Sequence, residues 1–158
     1  DKLKKYFPED IRRNKIATRC MKIAQSGQYN FLRCMQREEF VAARLAETEF
    51  ISEAIYMIYL LNKEYLPFYK WQHRGLKRLK ILGFKTHAML NELVKASFDN
   101  ARLKVQIIEK ICGDIIEELK NQNLVNPYMQ SDFLQDYGPL VQQSIHDEKL
   151  RNWPPMLD

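Results

Sequence analysis

Residues 40–62 read FVAARLAETEFISEAIYMIYLLN, and the spacing within this stretch decides the fold class. Phe40, Ala43, Ala46, Phe50, Ala54, Met57 and Leu61 recur every three or four positions. That interval gathers side chains on one side of an α-helix, whereas a half-buried strand needs alternation by two. From Ile55 to Leu61 the stretch turns apolar on most faces, the pattern of a helix buried inside a bundle. This run of seven residues is far short of the roughly 20 that span a bilayer, so no membrane partner is expected. The acids crowd the earlier part. Glu47 and Glu49 are two residues apart, about 200° around a helix, and read as surface acids.

The same period extends outward in both directions. Phe7-Pro8-Glu9-Asp10 opens a first helix, with Pro suited to the first turn and the acids to the positive end of the helix dipole. Ile16, Ala17, Cys20, Met21 and Ala24 form its stripe, and Ser26-Gly27 is expected to end or break it. Gln28 to Asn62 is the central helical region, with a bend near Gln36. Pro67 is expected to start a third helix whose packed face is Phe68, Trp71, Gly75, Leu79 and Leu82, closed by Gly83. A shorter helix follows over 86–97. Asp99 is read as the cap of a long helix reaching Asn121, with Leu103, Ile107, Ile111 and Ile115 inward and Gly113 held in tight packing. Ser131 is read as the cap of a last helix, interrupted at Gly138-Pro139 and followed by an extended tail, Trp153-Pro154-Pro155. The expected fold is all-α, a single bundle of five to seven helices forming one domain over residues 1–158. Its expected core is Ile16, Cys20, Phe40, Phe50, Ala54, Met57, Leu61, Trp71, Leu79, Leu103, Ile107, Ile111 and Ile115.

Composition narrows the function classes. Five scattered glycines form neither GxxxxGK nor GxGxxG, and no HExxH or GxSxG is present. His73, His87 and His146 lie far apart, and Cys20, Cys34 and Cys112 are odd in number with no CxxC spacing. Reduced thiols in a cytoplasmic protein are the expectation. The start, Asp1-Lys2-Leu3-Lys4-Lys5, leads into no apolar signal region and has no initiator Met, so the chain is read as a piece of a longer protein.

Charge is concentrated. The chain carries +5, yet Tyr65 to Asn91 holds no acid and six cations: Lys70, Arg74, Lys77, Arg78, Lys80 and Lys85. This segment begins at the most specific motif, Tyr65-Leu66-Pro67-Phe68-Tyr69-Lys70-Trp71. A turn feeding a helix start offers free N–H groups, Lys70 adds an ammonium, and Tyr65 and Tyr69 add hydroxyls and stacking faces. Together with Arg74 and Lys77 these residues are suited to a triphosphate. The plainer alternative is that the aromatics are core and the cations merely solvated.

The motif Tyr-x-Pro-aromatic-Tyr-Lys-Trp, preceded by an apolar helix ending Leu60-Leu61-Asn62, resembles a helical domain of unassigned function that follows a nucleotidyltransferase core in bacterial proteins. Phe7-Pro8-Glu9-Asp10 with Arg13 and Ala17, Val41-Ala42-Ala43-Arg44-Leu45, and the stretch from Asp132-Phe133-Leu134 to Leu150-Arg151 resemble further parts of it, so that the likeness runs over nearly the whole chain. The resemblance implies a domain that closes one side of a nucleotide cleft, as the helical domains of aminoglycoside nucleotidyltransferases do. By position, Lys70 and Tyr69 match the motif and Arg44 the arginine of the central helix. The implied partners are a nucleotidyltransferase core in the same or a partner chain and a small-molecule or nucleotide ligand. The implied cofactor is ATP or another NTP with magnesium, bound in the parent protein. This chain departs from the full pattern, since no Gly-Ser turn precedes paired acids, and the carboxylates that two-metal transfer needs are expected elsewhere. No catalytic residue and no metal ligand is assigned to the chain itself. The alternatives are a nucleic-acid-binding module and an interaction domain with a basic docking helix.

Overall fold

The computed structural model describes residues 5–157, so residues 1–4 of the start read above fall outside it. The chain is all-α. A long rod begins with α1 (Glu9–Ile23), continues as a π-helix (Ala24–Phe31) and ends as α2 (Leu32–Gln36). A turn with Glu38 in the left-handed region (φ 59°) leads to the central helix α3 (Phe40–Leu61). Then come α4 (Tyr69–Gly75) with a 3-10 turn (Leu76–Arg78), α5 (Gly83–Lys95) and α6 (Ala101–Asn121). A 3-10 turn (Leu134–Tyr137), α7 (Gly138–Gln143) and α8 (Glu148–Arg151) close the chain. With the rod counted once, these make seven helices among the described residues, the upper end of the expected range.

Burial follows the apolar period. α3 packs on α1 and on the π-helix, α1 packs on α7, and α5 packs on α6. Ile16, Cys20, Phe50, Ala54, Met57, Leu61, Leu79, Ile107, Ile111 and Ile115 are buried as expected. Burial pushes the thiols of Cys20 and Cys112 well above the usual range, which leaves them inert as nucleophiles.

Gly27 does not break the first helix. A Cβ there would sit 2.3 Å from the Phe50 ring and 2.9 Å from Ile108, so the missing side chain is what lets α3 and α6 approach the rod. The rod accommodates that approach by widening into a π-helix, a form common as a local bulge in longer helices. Gly75 acts alike on α4, where a Cβ would lie 2.1 Å from the Tyr59 hydroxyl oxygen. Gly113, by contrast, faces open space, so tight packing is not its reason.

Several expectations are corrected. Phe40, Trp71 and Leu103 are substantially exposed rather than core. On α6 the inward position beside Leu103 is taken by Lys104, which is 0% exposed. Its Nζ donates to Glu47 Oε1 at 2.6 Å and to the Leu93 carbonyl at 2.7 Å. Glu47 is therefore no surface acid: it is 3% exposed and also pairs with Arg44 at 3.2 Å, while Glu49 does face solvent. The third helix starts at Tyr69, two residues past Pro67, and lasts seven residues. Gly83 opens α5 rather than closing α4, because Leu82 turns the chain in the left-handed region (φ 59°) and a Cβ at Gly83 would meet the Leu76 carbonyl oxygen at 2.2 Å. Asn100, not Asp99, caps α6 by accepting from the Leu103 N–H. Ser131 caps no α-helix; its hydroxyl accepts from Phe133 N–H and donates to Asp136 in the 3-10 turn. Gly138-Pro139 opens α7 rather than interrupting a helix, and the tail turns at Pro154, whose carbonyl accepts from Leu157 N–H.

The C-terminal end of α3 is completed by distant side chains. Arg12 Nε donates to the Leu60 carbonyl at 2.8 Å and Gln122 Nε2 to the Leu61 carbonyl at 3.0 Å. These satisfy carbonyls that a helix end leaves without an intrahelical partner.

Candidate functional site

Past this fastened end the chain turns at Lys63 (φ 54°) and runs without regular structure to α4. Tyr65 is anchored within that run. Its ring lies 5.1 Å from Tyr6 and 4.9 Å from Phe7, and its hydroxyl donates to the Lys5 carbonyl at 2.8 Å. The residue fixes the approach to α4 and has its hydroxyl proton already committed.

Four contacts hold α4 in place. The Tyr59 hydroxyl donates to the Gln72 carbonyl at 3.0 Å, and Gly75 leaves room for that phenol. Gln72 Nε2 reaches back to the Pro67 carbonyl at 3.0 Å. His73 Nε2 lies 3.1 Å from the His87 carbonyl, and the two imidazoles stack with centroids 4.0 Å apart. Burial, the neighbouring His73 and the Lys77 ammonium hold His87 below its ordinary pKa.

The outer side of this element is where the predicted residues gather. Tyr69 is 73% exposed, Phe68 59% and Trp71 47%. Phe68 touches both other rings, at 4.7 Å to Tyr69 and 6.0 Å to Trp71. Lys70 Nζ stands 5.9 Å from the Trp71 ring centroid, within cation–π range. Lys70, Arg74, Lys77, Arg78 and Lys80 are all exposed and have no acid partner among the described residues. Only Lys85 of the six is paired, with Asp114 at 2.8 Å. The structure thus brings Tyr69, Lys70, Arg74 and Lys77 onto one exposed element.

Arg44 is not part of this group. It lies fifteen residues before Tyr59 on α3, about 22 Å along the axis at 1.5 Å per residue. Its guanidinium sits 3.8 Å from the Phe98 ring centroid and pairs with Glu47. The patch is also open. None of five surface concavities, from about 390 to about 630 Å³, is lined by Tyr65, Tyr69, Lys70, Arg74 or Lys77. The concavity of about 630 Å³ runs instead beside the π-helix and the start of α3, lined by Gln25, Asn30, Cys34, Ala46 and Glu49 among others. Sequence reasoning missed it, since its lining comes from the rod, α3 and Met156 near the end of the chain and no local spacing brings them together. Among the described residues no group of three or more His, Cys, Asp or Glu is placed to hold a metal ion, and no helix is long and apolar enough to cross a membrane.

Residues 1–72 match the family described as Domain of unknown function (DUF4037). The chain is thus similar to that family from its first helix through the Tyr65–Trp71 motif. The match takes in Arg44, Tyr65, Tyr69 and Lys70 and stops before Arg74 and Lys77, a shorter span than the whole-chain likeness read from the sequence. No curated protein and no solved structure matches the chain.

Proposed function

We propose that this chain is a helical accessory domain that supplies one wall of a nucleotide-binding cleft, the other wall being a nucleotidyltransferase core in the same or a partner chain. The observation that supports this reading is the α4 patch: cations without acid partners among the described residues, interleaved with uncovered aromatic rings, on a surface apart from the five concavities described above. An open patch of this kind cannot exclude water from a ligand. Facing a second surface, it becomes half of a site in which each charge–phosphate contact strengthens as the local dielectric falls. In that arrangement Lys70 neutralises phosphate oxygens as a mobile point charge and Tyr69 offers a ring and a hydroxyl. Arg74 and Lys77 draw the anion toward the wall. The magnesium accompanying ATP or another NTP is held by carboxylates of the core.

The test is calorimetric titration of Mg-ATP into the polypeptide that includes the core, with wild type and Lys70→Ala compared. Loss of one charge-assisted hydrogen bond, about 1.5 kcal/mol or more, weakens binding about tenfold. Unchanged affinity together with unchanged transfer would remove Lys70 from the cleft. The interaction-domain alternative predicts a different result, in which Lys70→Ala weakens assembly with the core while nucleotide affinity of the assembled protein stays the same.

A further inference from the structure

We infer that the α4 patch receives single-stranded nucleic acid, an occupant of Lys70 and Tyr69 other than the nucleotide considered above and one whose binding does not rest on that reading. Three features of the patch argue for a strand. The first is the length of the charged row. Lys70, Arg74 and Lys77 stand at i, i+4 and i+7, so they follow one side of α4 and its 3-10 extension. At 1.5 Å or more of rise per residue the row covers about 10 Å. A nucleoside triphosphate brings its charges as one compact group, whereas a strand presents its phosphates as an extended series that follows the whole row.

The second feature is the rings. Phe68, Tyr69 and Trp71 are exposed together, Phe68 touches each of the other two, and Tyr69 and Trp71 flank Lys70 in the sequence. Exposed apolar rings in contact cost hydration free energy, and a base stacked on them recovers it regardless of its identity. A base inside a duplex has both faces covered by its neighbours, so a ring platform selects for unpaired strands. An acidic protein surface would match the cations but gives the rings no flat partner. The third feature is that the cations are uncommitted. No acid among the described residues pairs with Lys70, Arg74 or Lys77, so binding a polyanion breaks no existing ion pair.

The experiment is fluorescence anisotropy of this chain with a labelled mixed-sequence 12-nucleotide single strand, in DNA and RNA forms, and with the matching duplex, across a series of salt concentrations. Single strands are expected to bind more tightly than the duplex. The log–log salt slope should lie near −2, at about 0.7 per neutralised phosphate, and fall by about 0.7 for each of Lys70→Ala, Arg74→Ala and Lys77→Ala. Tyr69→Ala and Trp71→Ala are each expected to weaken binding about fivefold or more while leaving the salt slope unchanged. Both residues are exposed, and an unaltered melting temperature confirms that the variants are folded. The inference is overturned if the duplex binds as tightly as the single strand, if removing the rings changes nothing, or if polyglutamate of equal charge competes as well as the oligonucleotide. Mg-ATP titrated without oligonucleotide into the polypeptide that includes the core separates the two ideas. ATP binding that depends on Lys70 with no strand binding sinks this inference alone, whereas strand binding with no ATP binding sinks the cleft reading and keeps the strand site.

Discussion

Glu47, Lys104 and Arg44 near one end of α3, and Lys70, Arg74 and Lys77 beyond its other end, are two charge clusters with opposite surroundings. In the first, Lys104 is wholly enclosed and every charged atom is answered: Glu47 Oε1 by Lys104, Glu47 Oε2 by Arg44, and the remaining reach of Lys104 by the Leu93 carbonyl. In the second, each cation is exposed and no acid among the described residues pairs with it. Enclosed charges are tolerated only when paired, because desolvation costs several kcal/mol per ion. Exposed cations incur no such cost and hold their charge available for an outside anion. The contrast teaches that the interior cluster specifies how α3, α6 and the end of α5 meet, while the exterior one contributes almost nothing to folding and is open to a ligand.

The comparison is broken most sharply at Lys104. Lys104→Met leaves Glu47 enclosed beside Arg44 alone and should lower unfolding free energy by about 3–5 kcal/mol in a urea titration. Adding Glu47→Leu should recover most of that loss, since a removed pair costs far less than a broken one. A single-variant loss below 1 kcal/mol would show that water reaches this cluster after all. The two glycines sharpen the same division between inside and outside. Gly27→Ala pushes a methyl into the Phe50 ring and should destabilise by about 1–3 kcal/mol, whereas Gly113→Ala, into open space, should stabilise by about 1 kcal/mol through helix propensity.

A smaller effect is expected at Asp10, whose carboxylate accepts from the His146 and Asp147 N–H groups at 3.1 and 2.8 Å. These bonds, the one from His146 foremost, hold its pKa below the ordinary aspartate value. Its contribution is therefore complete above the unfolded-state pKa, about 3.9, and disappears as pH falls through the lowered folded value. Wild type should exceed Asp10→Asn in stability at pH 6, with the gap shrinking below about pH 4. A gap that does not change with pH would mean the carboxylate charge is irrelevant there. The smallest change is expected at the exterior cluster, where Lys70→Ala should shift unfolding free energy by less than about 0.5 kcal/mol. A larger loss would place Lys70 in the folding machinery rather than at a ligand surface.

The helical period made α3 and α6 legible, because each is long enough for a stripe to stand out from chance. A stripe fixes the direction of burial only to within about one residue, however, and on α6 that margin exchanged Leu103 for Lys104. Nothing near Lys104 in the sequence signals its burial, since its acid partner lies 57 residues earlier. Phe68 and Trp71 were read as packed because a longer α4 would have laid them on the bundle. The helix is seven residues long, and its inner contact is made by Gly75 and Leu76 instead. At the candidate site, residue types and local spacing sufficed to place Tyr69, Lys70, Arg74 and Lys77 on one element, α4 with its 3-10 extension. Tyr65 and Arg44 had no such guide, since their surroundings are made by Tyr6, Phe7 and Phe98 from other parts of the chain.

The fastening of α3 by Arg12 and Gln122 has a consequence for the order in which the molecule can be made. Arg12 precedes the helix in synthesis, but Gln122 follows its last residue by 61 positions. While the nascent chain grows through α4, α5 and most of α6, the Leu61 carbonyl must rely on water. Only when Gln122 clears the ribosome and α6 swings into place is the end of the central helix sealed, so the element that anchors the fold is among the last to be finished.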